Sequence, residues 1–564
     1  MKSRKQGGQH MKRRYKTMAA VLAATMALGT MNAPMAAVFA AEDVDMTVVE
    51  TDKGAIRGLQ IADDLVEYRG VPYAAPPVGD LRWAPPEDHE EWEGILDCTE
   101  YQAMAMQILS TTDWWGEEFY YEYLDEYPNM SEDCLYINIT SPAQSADDNL
   151  PVLLWLHGGA NMHGYSYEVE CNAEELARRG VIVVELEYRL GLFGYMATTA
   201  LSEDSETGTS GNYGLMDAIK GLEWIQENIK NFGGDPERVT IAGQSAGAGM
   251  VSALLTSPLA KGLFSGAIMS SSFTPFGTRT PYETTVEKCE AWLDEKGYGD
   301  MTLEELRDLP TSAFMNEDTE KSEIYGKGFG LCLDGYVLTE NPNEYFMKEG
   351  SLNGVDLLFG SNSGESNGSF TIKTQDEIFE AAKEKYGDLY DQYNFEELFK
   401  TTDDVAATME SLRLASELKS TTSRLSGLVL SELNPDSDLY FYYFSHWTPG
   451  RESEIRWSWH SSDLWYVFDS MRDVPEQRDW TELDYQIGDM CSSYWANFCA
   501  TGNPNGGTLP VWPALTMENP CFMEWGDEFK LRYDFYSGTK KEDRDNLMID
   551  YVINDYGIQD YFAE

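Results

Sequence analysis

Five residues, Gly243-Gln244-Ser245-Ala246-Gly247, set a serine between two glycines where the chain changes character. Before them runs the apolar, β-branched Val239-Thr240-Ile241-Ala242, and after them Ala248 to Leu255 reads as a helix. A strand, a Gly-x-Ser-x-Gly turn and a helix make a nucleophile elbow. The turn pushes the serine hydroxyl out at the carboxyl edge of a sheet. The helix N-terminus behind it offers unpaired N–H groups to a developing negative charge. The chemistry such a serine performs is acyl transfer, which also needs a general base, an acid to orient it, and donors for an oxyanion.

Each of these partners has a candidate. Leu150 to Leu156 reads as a buried strand and runs into His157-Gly158-Gly159-Ala160, an oxyanion loop whose glycines leave the N–H groups of Gly159 and Ala160 free. The Ala246 N–H, just after the nucleophile, makes a third donor. The chain holds only 6 histidines. His10 lies in the amino-terminal leader, His157 and His163 belong to the oxyanion loop, and His89 sits in the acidic stretch Glu87-Asp88-His89-Glu90-Glu91. His446, at the end of the strand-like Leu439 to Phe444, and His460, in a loop entering a helix, remain as bases. The acid is expected between serine and base. Val355 to Gly360 reads as a strand, and Glu365 stands in the loop that ends it.

The elements that must hold these groups alternate strands with helices, and no repeat, low-complexity tract or long linker divides the 564 residues. Residues 41–564 therefore read as one domain. Residues 1–40 read as a secretory signal peptide: seven basic residues between Lys2 and Lys16, an apolar stretch from Met18 to Leu28, then small residues up to Ala40-Ala41. That apolar stretch is too short to span a bilayer, which takes roughly 20 residues. Cleavage after Ala40 or Ala41 and a secreted, extracellular protein are expected. No acid precedes Glu42, so removing the seven basic residues takes the net charge from −55 to −62. Such a charge argues against nucleic acid or an anionic membrane as partner.

Several motifs in order make the chain resemble the type-B carboxylesterase/lipase family, which includes bacterial nitrobenzyl-type esterases, fungal lipases and the cholinesterases. They are Arg69-Gly70-Val71-Pro72-Tyr73, Glu132-Asp133-Cys134-Leu135-Tyr136, Asn231-Phe232-Gly233-Gly234-Asp235-Pro236, the elbow, Gly360-x-Asn362-x-x-Glu365, and His460-x-x-Asp463-Leu464-x-Tyr466-Val467-Phe468. The resemblance runs from about Val48 to Trp525. It implies an α/β fold of the α/β-hydrolase kind: a mostly parallel, twisted central sheet flanked by helices, with large loop and helical insertions over the active site. It selects His460 over His446 and implies a serine carboxylesterase with a Ser245–His460–Glu365 triad, acting on a small-molecule ester through an acyl-enzyme without cofactor or metal. A lipase or a phenolic-ester esterase is the alternative, and a non-catalytic neuroligin-like ectodomain the remote one.

Substrate clues lie in the loops. Trp114 and Trp115, between Cys98 and Cys134, either line the entrance or pin their loop to the body, and Trp459 beside the base carries the same two readings. Asn161 stands where an aromatic residue commonly follows the oxyanion glycines, and Glu187 replaces an asparagine before Tyr188-Arg189. Both change the expected pocket rather than the chemistry. Cys98 and Cys134 are expected to pair in an exported chain, although the family's first cysteine falls where this chain has Ala105.

Overall fold

One strand shows how the sequence builds the sheet. Leu150–Leu156 (β4 below) sends Val152, Leu154 and Leu156 to one face and Leu153 and Trp155 to the other, and both sets are fully buried. An apolar run with no polar side is what a strand covered on both faces requires. The structure, a computed structural model, describes residues 45–109, 127–315, 319–368, 370–472, 474–475, 477–534 and 541–562.

The strands of the main sheet, in chain order, are Leu59–Ala62 (β1), Leu65–Pro72 (β2), Tyr136–Ser141 (β3), Leu150–Leu156 (β4), Ile182–Leu186 (β5), Gly234–Gln244 (β6), Gly266–Ser270 (β7), Asp356–Asn362 (β8), Leu439–Phe444 (β9), Phe522–Trp525 (β10) and Phe529–Arg532 (β11). They lie in the order β11-β10-β9-β8-β7-β6-β4-β5-β3-β2-β1. From β10 through β5 every neighbouring pair is parallel, while β11 and the β3-β2-β1 edge pair antiparallel. The mostly parallel sheet matches the expectation.

Helices cover both faces. Tyr213–Asn228 (α1), Ala246–Thr256 (α2) and Asp404–Leu433 (α3) bury Leu222, Leu254 and Leu425 among the side chains of one face. Glu482–Thr501 (α4) lays Ile487, Cys491, Trp495 and Phe498, one per turn, against Trp155 and Val183 on the other. Each large apolar side chain buried in this way stabilises the fold by about 1.5–3 kcal/mol. At the start of α4 the Thr481 hydroxyl caps Asp484 N, and the Asp484 carboxylate accepts from Thr481 N at 2.8 Å. Among the described residues no helix is long and apolar enough to cross a membrane.

Candidate active site

The elbow forms because β6 stops at Gln244 and α2 starts at Ala246, which leaves Ser245 alone to turn the chain. Ser245 takes φ 53° and ψ −118°, a conformation that costs a non-glycine residue on the order of 1–3 kcal/mol. Hydrogen bonds on both sides hold it there, from Ser245 N to Ser270 O and from Gly249 N to Ser245 O, each 3.0 Å. Position 247 must be glycine, since a Cβ there would stand 2.0 Å from the Leu156 carbonyl oxygen.

His460 is brought to this turn from the loop after β9. Its Nδ1 lies 2.5 Å from Glu365 Oε2, and its Nε2 accepts from Gln244 Nε2 at 3.1 Å, next door to Ser245. That pattern puts the imidazole proton on Nδ1 and a lone pair on Nε2, the tautomer a general base needs. Glu365 is positioned by the end of β8: its Oε1 accepts from Asn362 N at 2.8 Å, and Gly364 N donates to Ser458 O at 2.8 Å, tying the two loops together. Burial works to raise the Glu365 pKa. The facing His460, with help from Lys419 and Ser271, outweighs burial and holds the carboxyl below the usual glutamate range.

Beneath the pair lies a residue whose role the sequence left unassigned. Asp463 is fully buried, and its carboxylate accepts from Asn362 Nδ2 at 2.9 Å, Ser270 Oγ at 2.6 Å and Tyr442 OH at 2.7 Å. One side chain thus joins the His460 loop to the ends of β7, β8 and β9. Its pKa is raised by burial against the pull of those three donors. The motif His460-x-x-Asp463 carried the signal, but three donors from three strands become visible only in the fold. Gln244 is the second residue missed, because its contact with His460 spans more than two hundred residues.

The oxyanion loop is fixed from below. His157 is fully buried, stacks on Tyr188 at 4.4 Å between centroids, and has its pKa pushed down to about 3 by burial. It stays neutral, a structural post, and Tyr188 OH donates to its carbonyl at 2.8 Å. Gly159 takes φ 99°, where a Cβ would collide with the His163 carbonyl, and Ala160 and Asn161 follow at φ 57° and 58°. No acceptor among the described residues takes the N–H of Gly159, Ala160 or Ala246. Gln107 clamps Gly164 through two hydrogen bonds of 2.8 and 2.9 Å. Glu187, the departure from asparagine, accepts from Ala105 N at 2.9 Å and Ser166 N at 2.8 Å, so it staples the loop to its neighbour. Burial raises the Glu187 pKa to about 7 against those bonds.

The remaining sequence candidates divide. Asn161 follows Gly159 and Ala160, the expected oxyanion donors, and its Oδ1 is buried without a partner among the described residues. Trp459 is not a lining residue. It is 1% exposed, packed in the core beneath the His460 loop with the Arg478 guanidinium over its ring, while its carbonyl accepts from Asn362 Nδ2. Trp114 and Trp115 lie outside the described residues. The expected Cys98–Cys134 bridge is not formed, and all 8 cysteines are free, buried thiols. Cys98 is held by strand pairing to Arg57 and Arg69 with its sulfur toward Gly70 O, whereas the Cys134 thiol lies among Glu187, Asp217 and Arg189. His446 has both nitrogens engaged, Nε2 with Asp484 at 2.9 Å and Nδ1 with Asp527 at 2.7 Å. Among the described residues no group of three or more His, Cys, Asp or Glu could hold a metal ion.

Comparison with known proteins places this geometry in a family. A model of the carboxylesterase family matches residues 45–544. The para-nitrobenzyl esterase of Bacillus subtilis (strain 168) is 32% identical over 494 residues, covering 84% of this chain and 93% of the relative. The fumonisin B1 esterase of Sphingopyxis macrogoltabida is 32% identical over 506 residues, 88% of this chain and 89% of the relative. A solved PNB esterase structure superposes with a TM-score of 0.72 at 28% identity, over 89% of this chain and 99% of that one. With an α/β-hydrolase sheet, an elbow at its carboxyl edge and a match across nearly all the described residues, the chain belongs to the carboxylesterase family and is a carboxylic ester hydrolase.

Proposed function

We propose that the protein hydrolyses its ester through an acyl-enzyme on Ser245, with His460 as general base and Glu365 as the orienting acid. The observation that carries this reading is His460 held between Glu365 on Nδ1 and Gln244 on Nε2, beside a serine in a strained elbow. Ser245 Oγ attacks the ester carbonyl as His460 Nε2 takes its proton. The N–H groups of Gly159, Ala160 and Ala246 receive the oxyanion, each such donor contributing about 2.7–4 kcal/mol. His460 returns the proton to the leaving alcohol and then activates the water that frees the acid. The substrate is a small-molecule ester, a reading supported by the similarity to a fumonisin B1 esterase and a para-nitrobenzyl esterase. Export with cleavage after Ala40 or Ala41, leaving residues 41–564 as one folded domain, completes the proposal. The basic, apolar and small-residue order of the leader supports it.

Ser245→Ala tests the nucleophile. Hydrolysis of nitrophenyl acetate is expected to fall on the order of 10^5–10^6-fold, and a fluorophosphonate probe to label the wild type and not the variant. Near wild-type turnover by the variant refutes the assignment. Nitrophenyl esters from acetate to palmitate, together with hydroxycinnamate esters, then separate a short-chain esterase from a lipase or a phenolic-ester enzyme.

A further inference from the structure

The face of the sheet that packs on α4 carries acidic side chains toward its β2 edge. There Glu185 of β5 lies two residues after the buried Val183 and so points to that same face, beside Glu67 of β2 and Thr140 of β3. Above these strands lies a cavity of about 760 Å3, walled by Tyr101 and Tyr127 on one side and by the segment from Tyr167 to Glu174 on the other. A volume of that size suits a small organic ligand. None of the proposed catalytic residues lines it.

Most charges in this wall are matched. Glu67 receives Arg69 Nη2 at 2.6 Å and Tyr101 OH at 2.5 Å, and Glu174 receives Arg178 Nη2 at 3.4 Å. Glu168 accepts from Tyr165 N at 3.2 Å. Glu185 is the exception. It is 3% exposed, its side chain faces the cavity, and no described residue gives its carboxyl a hydrogen bond or an ion pair. An unpartnered carboxyl buried on a strand is costly unless something supplies donors. Next to it Tyr101 and Tyr167 stack at 4.4 Å and 9°, a flat aromatic wall.

We propose that this cavity is a second ligand site, one that takes an organic ammonium ion whose charged end pairs with Glu185 and whose carbon stem lies along Tyr101 and Tyr167. A carboxyl wanting donors selects a cation, and an aromatic wall favours an alkylammonium over a bare ion. A net charge of −55 raises the concentration of cations around the whole molecule. The groups that face Glu185 are Glu67 and Arg69 from β2, Tyr101 and Tyr127 from the loops, and Glu168 and Glu174 from the covering segment. Burial, followed by the nearby Glu67, keeps the empty Glu185 carboxyl well above the usual range. Both causes favour its protonated form when the cavity is empty. On binding, the ammonium N–H donates to the carboxylate and the carboxyl proton passes to solvent, so up to one proton leaves for each amine bound.

The test is calorimetric titration of the full chain with n-butylammonium and, separately, n-butanol, in two buffers of different ionisation enthalpy. Saturable binding of the amine alone, with net proton release, is expected. Glu185→Gln should weaken that binding at least tenfold and leave nitrophenyl acetate hydrolysis unchanged. Absence of saturable binding, equal binding of butanol, binding without proton release, or a Glu185→Gln protein that binds as well as wild type would each overturn the proposal. The proton count is read on the wild-type protein, so the test does not depend on the variant folding.

Discussion

His460 and His446 sit at the two ends of one loop, both gripped by carboxylates, and the grips differ in kind. Glu365 holds His460 by Nδ1 alone, and the other nitrogen faces a neutral amide donor beside Ser245. His446 is held on both nitrogens, by Asp484 and Asp527. Burial works to lower the His446 pKa, but the two carboxylates outweigh it and raise it above the ordinary value. A base needs a lone pair to offer, and a histidine donating from both nitrogens has none. The second arrangement serves structure: Ser458 Oγ donates to the His446 carbonyl at 2.7 Å, so the doubly held residue anchors the segment that presents the singly held one.

The contrast breaks most sharply at Glu365. Glu365→Gln keeps the shape but can present an N–H to Nδ1, which favours the wrong tautomer. A loss of about 10^4-fold in kcat is expected, with KM little changed. The folded pKa of Glu365 is lowered, so its carboxylate is ionised above the ordinary value near 4.3 and is lost only as pH falls through the lower folded value. Activity measured between pH 6 and 8 therefore reads the tautomer effect and not titration of this acid. A variant within tenfold of wild type would mean that Glu365 does not orient the base.

Legibility in the sequence followed the range of the interaction. The elbow, the glycine loop from His157 to Ala160 and the strands leading to them were readable as structure because each rests on neighbours: glycines at a turn, an apolar run before it, a helix after it. The start of α4 is equally local, since Thr481-x-x-Asp484 forms a capping box just before Glu482. Choosing between two histidines was another matter. Residue spacing left His446 and His460 open, because what separates them is Asp484 and Asp527 on one side and Glu365 and Gln244 on the other, all brought in by tertiary folding. Trp459 was left with two readings for a related reason. An aromatic beside the base is as well suited to plug the core as to line a pocket, and the parallel bridge between Gly364 and Trp459 turned it inward.

At His446 the comparison is sharpened through stability. His446→Gln replaces the cationic donor to the buried Asp484 with a neutral one, while Asp484 keeps Tyr466 OH at 2.7 Å and Thr481 N at 2.8 Å. A loss of ~1–3 kcal/mol in folding stability is expected, with kcat within about tenfold of wild type. Because the folded pKa of His446 is raised, its charged contribution is complete below the unfolded value near 6.5 and disappears as pH rises through the higher folded value. The gap in Tm between wild type and variant should therefore be wider at pH 6 than at pH 9. A gap that widens with pH would show that His446 acts as a neutral side chain.

Gln244 tests the finer half of the contrast, the nitrogen that meets a neutral amide. Its amide donates to the atom that, in the proposed mechanism, takes the Ser245 proton, so under that mechanism the bond has to break in each turnover. A neutral hydrogen bond of this kind is worth about 0.5–1.5 kcal/mol net, far less than an ionised carboxylate on the other nitrogen. Gln244→Leu fills similar space without the donor. It should lower kcat/KM by no more than about tenfold, since Glu365 already sets the tautomer. Steady-state kinetics of this variant, alone and combined with Glu365→Gln, separate the two contributions. If Glu365 dominates, the leucine costs more in the Glu365→Gln background, where the amide is the last group favouring the productive tautomer. A loss beyond a hundredfold from Gln244→Leu alone would reverse that order and make the amide, not the carboxylate, the residue that keeps His460 ready to accept a proton.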